Sequence, residues 1–559
     1  MLGQHSDYAS ACRAFRWQIP KHYNIGTDVC DRIAARHPDR LALIDVDEDG
    51  GERRCTFGEL TAHSNRLANA LLAFGLCDPD GARMGKHRPD RIGVLLPQRL
   101  ETAVAHIAVF KCGGISIPLF TLFAEQALLH RLKDSGAAAV ITDATGCRVL
   151  AGLRDRLPAL QHVLCVDGPA AGAIDLPAAC AAQPNTFEAV HTLADDPALL
   201  IYTSGTTGNP KGALHAHRVL LGHLPGVEMA FNGLPHSGDR FWTPADWAWI
   251  GGLLDVLMPA LHHGIPVVAR RFRKFDPVAA LQLMHRQQVR NAFLPPTALK
   301  MMRRVDPADI PPLQLRSIGS GGEALGAELN AWCTQHLGAP VNEFYGQTEC
   351  NMIVSSCSAW EPSHPGAMGR AVPGHRVDIV DAATGAVLPE EQEGAIAVRA
   401  PDPVMFLEYW NDAAATEAKF IDGPDGRWLV TGDRGLRTGD GRLRFVGRDD
   451  DVIGSAGYRI GPGEIEDCLI LHPAVAMAGA VAWPDELRGA VVAAYVTLID
   501  GAEPSEALAE QIADFVKTRL AAHEYPRIVR FVEAMPMTTT GKIIRAELRR
   551  WAEAEAGRG

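Results

Sequence analysis

Long hydrophobic runs are missing from this chain: nowhere in its 559 residues do about 20 apolar residues stand together, which excludes an ordinary membrane-spanning helix. The opening residues Met1-Leu-Gly-Gln-His-Ser-Asp-Tyr8 contain no apolar signal core, and the last residues carry no targeting tripeptide, so a cytoplasmic protein is expected. Basic charge is in deficit, with 54 Lys and Arg against 66 Asp and Glu and a net charge of −12. That balance argues against a nucleic acid or an anionic membrane as partner, and any anion site must be local. The 12 cysteines include no C-x-x-C pair and no Cys/His spacing suited to a metal, so they read as scattered reduced thiols. Internal repeats and low-complexity linkers are absent too.

What is present is a large globular composition, 47% hydrophobic and 21% charged, in a chain too long for one core. Thr56-Phe-Gly-Glu59 has capping-box spacing, and Leu60, Ser64, Leu67 and Leu71 follow at helical intervals until Gly75. Short apolar runs at Ile92–Leu96, Gly114–Ile117, Ala139–Ile141 and Val163–Val166 alternate with helical stretches, the βαβ rhythm of a parallel sheet. The rhythm resumes at Ile265–Val268 and Asn291–Leu294. From about residue 375 short strands with Gly/Asp turns dominate, as at Gly394–Val398 and Gly441–Val446. The tail holds strand-like Val491–Val496, a helix over about 505–522 and a last strand near Ile528–Val532. The expected fold is α/β. A large N-terminal domain over 1–448, of parallel-rich βαβ sheets plus a small β-rich subdomain, precedes a small α+β C-terminal domain over 449–559.

The densest chemical signal is Tyr202-Thr-Ser-Gly-Thr-Thr-Gly-Asn-Pro-Lys-Gly-Ala213, fed by the buried strand Ala198–Ile201. Gly205, Gly208 and Gly212 let backbone N–H groups approach phosphate oxygens, Ser204, Thr206 and Thr207 add hydroxyl donors, and Lys211 adds a point charge. Pro210 stands where a P-loop lysine would be and Lys211 is followed by Gly212, so an ordinary P-loop NTPase is disfavoured.

This loop resembles the phosphate loop of the adenylate-forming superfamily, which comprises acyl-CoA synthetases, peptide-synthetase adenylation domains and firefly-type luciferases. Five further segments resemble its motifs in the same order. They are Gly319-Ser-Gly-Gly-Glu-Ala-Leu325, Glu343-Phe-Tyr-Gly-Gln-Thr-Glu349, Thr431-Gly-Asp433 with Gly447–Glu466, and Thr538-Thr-Thr-Gly-Lys-Ile-Ile-Arg545. Phe15–Asn24 and Thr243–Ile250 look closest to acetyl- and medium-chain acyl-CoA synthetases.

The resemblance implies ATP contacts from Thr203, Ser204, Gly205, Thr206, Thr207, Gly208, Lys211, Gly322, Glu323, Ala324, Glu343, Phe344, Tyr345, Gly346, Gln347, Asp433 and Arg448. Within these, Tyr345 stacks on adenine and Asp433 takes the ribose hydroxyls, while Thr348 bonds the α-phosphate and Glu349 holds Mg²⁺. Lys542 enters the site for adenylation and bridges the attacking carboxylate and the α-phosphate. Asp450 is the implied hinge, and Ser455, Ala456, Gly457 and Arg459 serve CoA. The implied acyl pocket is lined by Trp247, Trp249, Gly252, Gly321 and Gly346; acetate-specific relatives carry a tryptophan where Gly346 stands, which leaves an open floor here.

The implied activity is an ATP-dependent acid:CoA ligase that uses Mg²⁺, makes an acyl adenylate and then an acyl-CoA. Its acid is medium-chain, branched or aromatic rather than acetate. A separate carrier protein as acceptor and a non-catalytic nucleotide-binding protein are the alternatives, and assembly with copies of itself is left open. No protein nucleophile is required, so His215, His217, His262 and His263 are expected to be structural or solvated. Arg270-Arg-Phe-Arg-Lys274 is a candidate for the CoA 3′-phosphate.

Overall fold

The structure, a computed structural model, describes residues 1–556 apart from 78–88, 204–209, 324, 365, 449–450, 452, 456–457, 486–488, 521–524 and 539–541. The capping box at Thr56 forms as its spacing predicts. The Thr56 hydroxyl accepts from the Glu59 N–H at 3.2 Å, and the Glu59 carboxylate accepts from the Thr56 N–H at 2.8 Å. Such a cap stabilises a helix by about 1 kcal/mol. It opens the α-helix Phe57–Ala73, whose Leu60, Ser64, Leu67 and Leu71 are all buried. Gly75, at φ +74°, then takes the chain out of the helix in a conformation an L side chain resists.

The described residues form two compact units, one of Met1–Arg376 with Val398–Phe420, the other of Val377–Ala397 with Ile421–Gly559. Two large sheets build the first unit. One has nine strands in the order Arg370–Ala371, Asn351–Ser355, Val341–Gln347, Ser317–Gly321, Asn291–Phe293, Phe241–Trp242, Val267–Ala269, Leu41–Val46 and Glu52–Thr56. Its inner strands pair parallel, with antiparallel partners at each end. The other has eight: Glu408–Tyr409, Gly212–Ala216, Pro197–Tyr202, Ile115–Pro118, Arg91–Leu95, Ala139–Thr142, His162–Cys165 and Ile174–Asp175.

Helix Leu100–Lys111 packs on strands of both sheets. Helix Val219–Ala230 is apolar on nearly every side, and all its residues are buried, as an all-round apolar surface requires. Within this core Lys111 is fully buried, and its ammonium is satisfied by Asp31 at 2.5 Å, Ser64 at 2.9 Å and Asn65 at 2.8 Å.

The second unit contains the β-rich segment expected after residue 375, a sheet of Val377–Val380, Gly394–Arg399, Gly426–Arg437, Phe420–Gly423 and Leu443–Arg448. It also contains a three-stranded sheet of Val475–Asp485, Gly489–Leu498 and Ile528–Phe531, flanked by helices Pro462–Ile470, Glu506–Lys517 and Arg545–Ala556. The long strand Val475–Asp485, in register with Gly489–Leu498, has no counterpart among the expected elements. Its alanine-rich run and Pro484 hide the alternation that marks a strand.

Candidate active site

The phosphate-loop residues Ser204, Gly205, Thr206, Thr207 and Gly208 lie outside the described residues, but the frame that carries them is defined. Strands Pro197–Tyr202 and Gly212–Ala216 pair antiparallel with Tyr202 opposite Gly212. The ladder extends one bond further, from the Thr203 N–H to the Lys211 carbonyl at 2.9 Å. On one flank the Tyr202 hydroxyl donates to Asp134 at 2.7 Å. On the other, strand Glu408–Tyr409 adds to the free edge, with Tyr409 opposite Ala213 and Glu408 opposite Leu214. Lys211 projects half-exposed, 3.9 Å from the Asp412 carboxylate and 5.3 Å from the centre of the Tyr409 ring.

Glu349 follows strand Val341–Gln347 in a tight turn and is 6% exposed. The Tyr409 hydroxyl donates to Glu349 Oε1, and the Phe406 N–H donates to the Glu349 carbonyl at 2.9 Å. Burial and the neighbouring Glu349 carboxylate push the Tyr409 phenol well above its ordinary value, so it stays a protonated donor. Thr348, Glu343 and Tyr345 are half-buried, and the Gln347 amide oxygen accepts from Lys419 at 3.1 Å. Tyr409 and Lys419 were not singled out in the sequence. A two-residue strand carries no periodic signal, and the 60 residues between Tyr409 and Glu349 hide the contact.

Gly346 sits at a bulge, where the register with Asn351–Ser355 shifts between Tyr345 and Gly346. A Cβ there would lie 1.5 Å from the Asn351 carbonyl oxygen. The missing side chain is thus demanded by the hairpin backbone. Asn351 itself adopts φ +50° and is anchored by its Nδ2 to the Val404 carbonyl at 3.3 Å.

The strand end at Gly321 is covered by Phe344, since a Cβ on Gly321 would meet that ring at 2.5 Å, while Gly322 beyond it is exposed. Phe344 continues into a row of aromatic rings, 5.3 Å from Phe293, which is 5.7 Å from Trp249. Trp247 is wholly buried, and a Cβ on Gly252 would strike the Asp246 carbonyl at 2.3 Å, so both pack within the protein core. Burial pushes the Asp246 carboxyl up to about 6. Glu323 accepts from the Thr297 hydroxyl at 3.4 Å, and Ala324 is outside the described residues.

Residues expected to serve the ribose meet in the second unit, where Asp433 and Arg448 are direct register partners on adjacent strands, with side chains on one face. Asp433 is 7% exposed, and its N–H donates to the Thr431 hydroxyl at 3.2 Å. Ser455 opposes Tyr458 in the hairpin of Ile453–Ser455 and Tyr458–Ile460. Arg459 belongs to that hairpin, while Ala456, Gly457 and the hinge candidate Asp450 lie outside the described residues. Lys542 is tied to Thr538: the Lys542 N–H donates to the Thr538 hydroxyl at 3.0 Å, and the Thr538 N–H donates back to the Lys542 carbonyl at 2.7 Å.

The histidines are structural in their surroundings. His215 and His217 are fully buried and held neutral, with values lowered to about 3 by desolvation, while His262 pairs with Asp28 at 2.6 Å and His263 with Glu228 at 3.2 Å. In the basic run, Arg270 caps the Asp47 and Glu48 carbonyls, and Arg273 pairs with Glu48 at 2.9 Å. All twelve cysteines are free thiols, and no described helix is long and apolar enough to cross a membrane.

With this geometry in view, residues 30–410 match the AMP-binding enzyme family and residues 464–542 the AMP-binding enzyme C-terminal domain. Acetyl-coenzyme A synthetase of Bacillus subtilis is 30% identical over 98% of this chain and 94% of its own length. The mitochondrial acyl-coenzyme A synthetase ACSM4 of Rattus norvegicus is 32% identical over 96% of this chain and 92% of its own. Among solved structures, the anthranilate CoA ligase AuaEII in complex with anthranoyl-AMP superposes with a TM-score of 0.84 at 27% identity, covering 96% of this chain and 99% of that one. A benzoate CoA ligase from Burkholderia xenovorans gives 0.79 at 26% identity, over 94% and 100%. The chain belongs to the AMP-binding enzymes, the adenylate-forming acyl-CoA and aryl-CoA ligases.

Proposed function

We propose that this enzyme activates a medium-chain, branched or aromatic carboxylic acid, rather than acetate, with ATP and passes the acyl group to CoA. The observation that carries the reading is the junction at Tyr409, whose strand extends the phosphate-loop hairpin while its hydroxyl holds the Glu349 carboxylate. The row Phe344–Phe293–Trp249 beside Gly321 supports an apolar acid, as do the solved relatives named for the aromatic acids anthranilate and benzoate.

A carboxylate repels nucleophiles, so it is first made electrophilic by attachment to AMP. Its oxygen attacks the α-phosphorus in line and pyrophosphate leaves. Lys211, with the loop from Thr203 to Gly208, steadies the β and γ phosphates, while Thr348 donates to the α-phosphate. Lys542 offsets the repulsion between the two anions as the bond forms. Tyr345, Glu343, Gln347 and the backbone at Gly322–Ala324 enclose adenine, and Asp433 with Arg448 holds the ribose.

The donor set fits Mg²⁺, an oxygen-seeking ion commonly held by one or two carboxylates plus nucleotide phosphates. Glu349 would hold it, and the ion supplies charge neutralisation. In the second half-reaction the C-terminal residues, turning at Asp450, replace the Lys542 segment with Ser455–Gly457 and Arg459, along which the CoA thiol reaches the acyl adenylate. A cytoplasmic setting suits the free thiols.

The test is pyrophosphate release with ATP and Mg²⁺ across C2 to C12 and aromatic acids, with and without CoA, with products identified by mass. Acyl-CoA and AMP from one medium-chain, branched or aromatic class, with little turnover of acetate, is the expected result. Pyrophosphate without a CoA thioester would redirect the acceptor to a carrier protein, and no release with any acid would overturn the catalytic reading.

A further inference from the structure

The geometry points to Tyr409 as the positioning residue that aims the Glu349 carboxylate at a divalent cation and couples that cation's site to the phosphate-loop lysine. The inference rests on Glu349 being the metal carboxylate in the reading above and adds a residue and a mechanism to it.

Three sets of contacts converge at this one residue. Its hydroxyl donates to Glu349 Oε1, and among the described residues Glu349 Oε2 accepts no hydrogen bond. A carboxylate with one oxygen so engaged presents the other in a fixed direction, which is what a small cation with strict octahedral geometry rewards. Its ring lies under Lys211, the ammonium 5.3 Å from the ring centre, a cation–π distance. Its backbone is locked into the phosphate-loop frame, since Tyr409 is in register with Ala213, the Leu407 N–H donates to the Leu214 carbonyl at 2.6 Å, and the Trp410 N–H to the Gly212 carbonyl at 2.7 Å.

The anchorage is rigid. Tyr409 and Glu349 are each 6% exposed, and Phe406 packs edge-on to the Tyr409 ring at 4.9 Å while its own N–H holds the Glu349 carbonyl. The segments that carry Lys211 and Glu349, 138 positions apart in sequence, are therefore joined through a third that only crosses between them. A shift of the strand Gly212–Ala216 moves Tyr409, and Tyr409 moves the carboxylate that would hold the metal.

The test measures binding of Mn²⁺·ATP, read from the electron paramagnetic resonance of bound Mn²⁺ with no acid present. It is run on the full-length protein, on Tyr409→Phe and on Glu349→Gln, alongside ATP binding in EDTA and thermal melting. Tyr409→Phe keeps the ring beneath Lys211 and against Phe406, so melting should fall by no more than a few degrees and metal-free ATP binding should stay at the unaltered protein's value while Mn²⁺·ATP binding weakens about tenfold, the scale of one charge-assisted hydrogen bond. Glu349→Gln should weaken it at least as much.

If Tyr409→Phe binds Mn²⁺·ATP as the unaltered protein does while Glu349→Gln is impaired, the role given to Tyr409 is wrong and the metal reading of Glu349 stands. Unchanged binding by Glu349→Gln would remove that reading and the inference with it. A Tyr409→Phe protein that loses melting temperature and metal-free ATP binding together would make Tyr409 a packing residue and overturn the proposal.

Discussion

Adding a single methyl group at Gly346 should damage both stability and catalysis, because the backbone leaves no space for it. The Cβ of Gly346→Ala would stand 1.5 Å from the Asn351 oxygen and 2.4 Å from its carbonyl carbon. Relief requires the strand Asn351–Ser355 to retreat by roughly 2 Å to reach ordinary contact distance. Asn351 is only 4% exposed and tied to Val404, so the retreat strains a buried turn. Overpacking of this kind costs about 3 kcal/mol. The turn carries Glu349, and displacing a reacting group by about 1 Å reduces turnover roughly 100-fold. Thermal melting combined with pyrophosphate release on a short and a long acid is the assay. Melting should drop by several degrees, and turnover of both acids should fall together. A variant that melts like the unaltered protein and loses only the long acid would refute the backbone constraint and leave Gly346 as a pocket floor alone.

Acid should unfold the protein early. His106, His215 and His217 are buried and lowered to about 3, so the unfolded chain takes up protons below pH 6.5 that the folded chain refuses. Their stabilisation is complete above that range and is lost as pH falls towards 3; between pH 6.5 and 5.5 each gives up about 1 kcal/mol, partly offset by Asp246, whose raised value acts in the opposite sense. Melting temperatures that stay flat from pH 8 to 5.5 would contradict this. Lys111→Met strands Asp31, Ser64 and Asn65 around an apolar side chain and should lower stability by about 3 kcal/mol in denaturant titration, with less than about 1 kcal/mol counting against a cooperative buried network.

Local signals were the legible part. The capping box at Thr56, the buried run Ala198–Ile201 and the strand at Asn291 each carry their own instruction, and each forms within a residue or two of the expected place. Of the candidate site, the motif residues stood out because glycines, hydroxyls and a lysine crowd together at 202–213 and because the further segments resemble the motifs of one family in the same order. What stayed hidden is non-local. Nothing near residue 409 announces that its hydroxyl meets Glu349, and nothing near 433 announces Arg448 as its register partner. The bulge at Gly346 is likewise a property of a strand pairing, and a glycine in a motif does not say which backbone it must admit.

The strand Glu408–Tyr409 closes an edge opened some two hundred residues earlier. During synthesis the chain therefore presents Gly212–Ala216 with one row of N–H and C=O groups unpaired until Leu407, Glu408, Tyr409 and Trp410 have emerged, the kind of bare edge that recruits other strands. A nascent or prematurely ended chain that stops before Leu407 leaves that edge bare as an aggregation template, so the strand Glu408–Tyr409 protects the hairpin as well as extending its sheet.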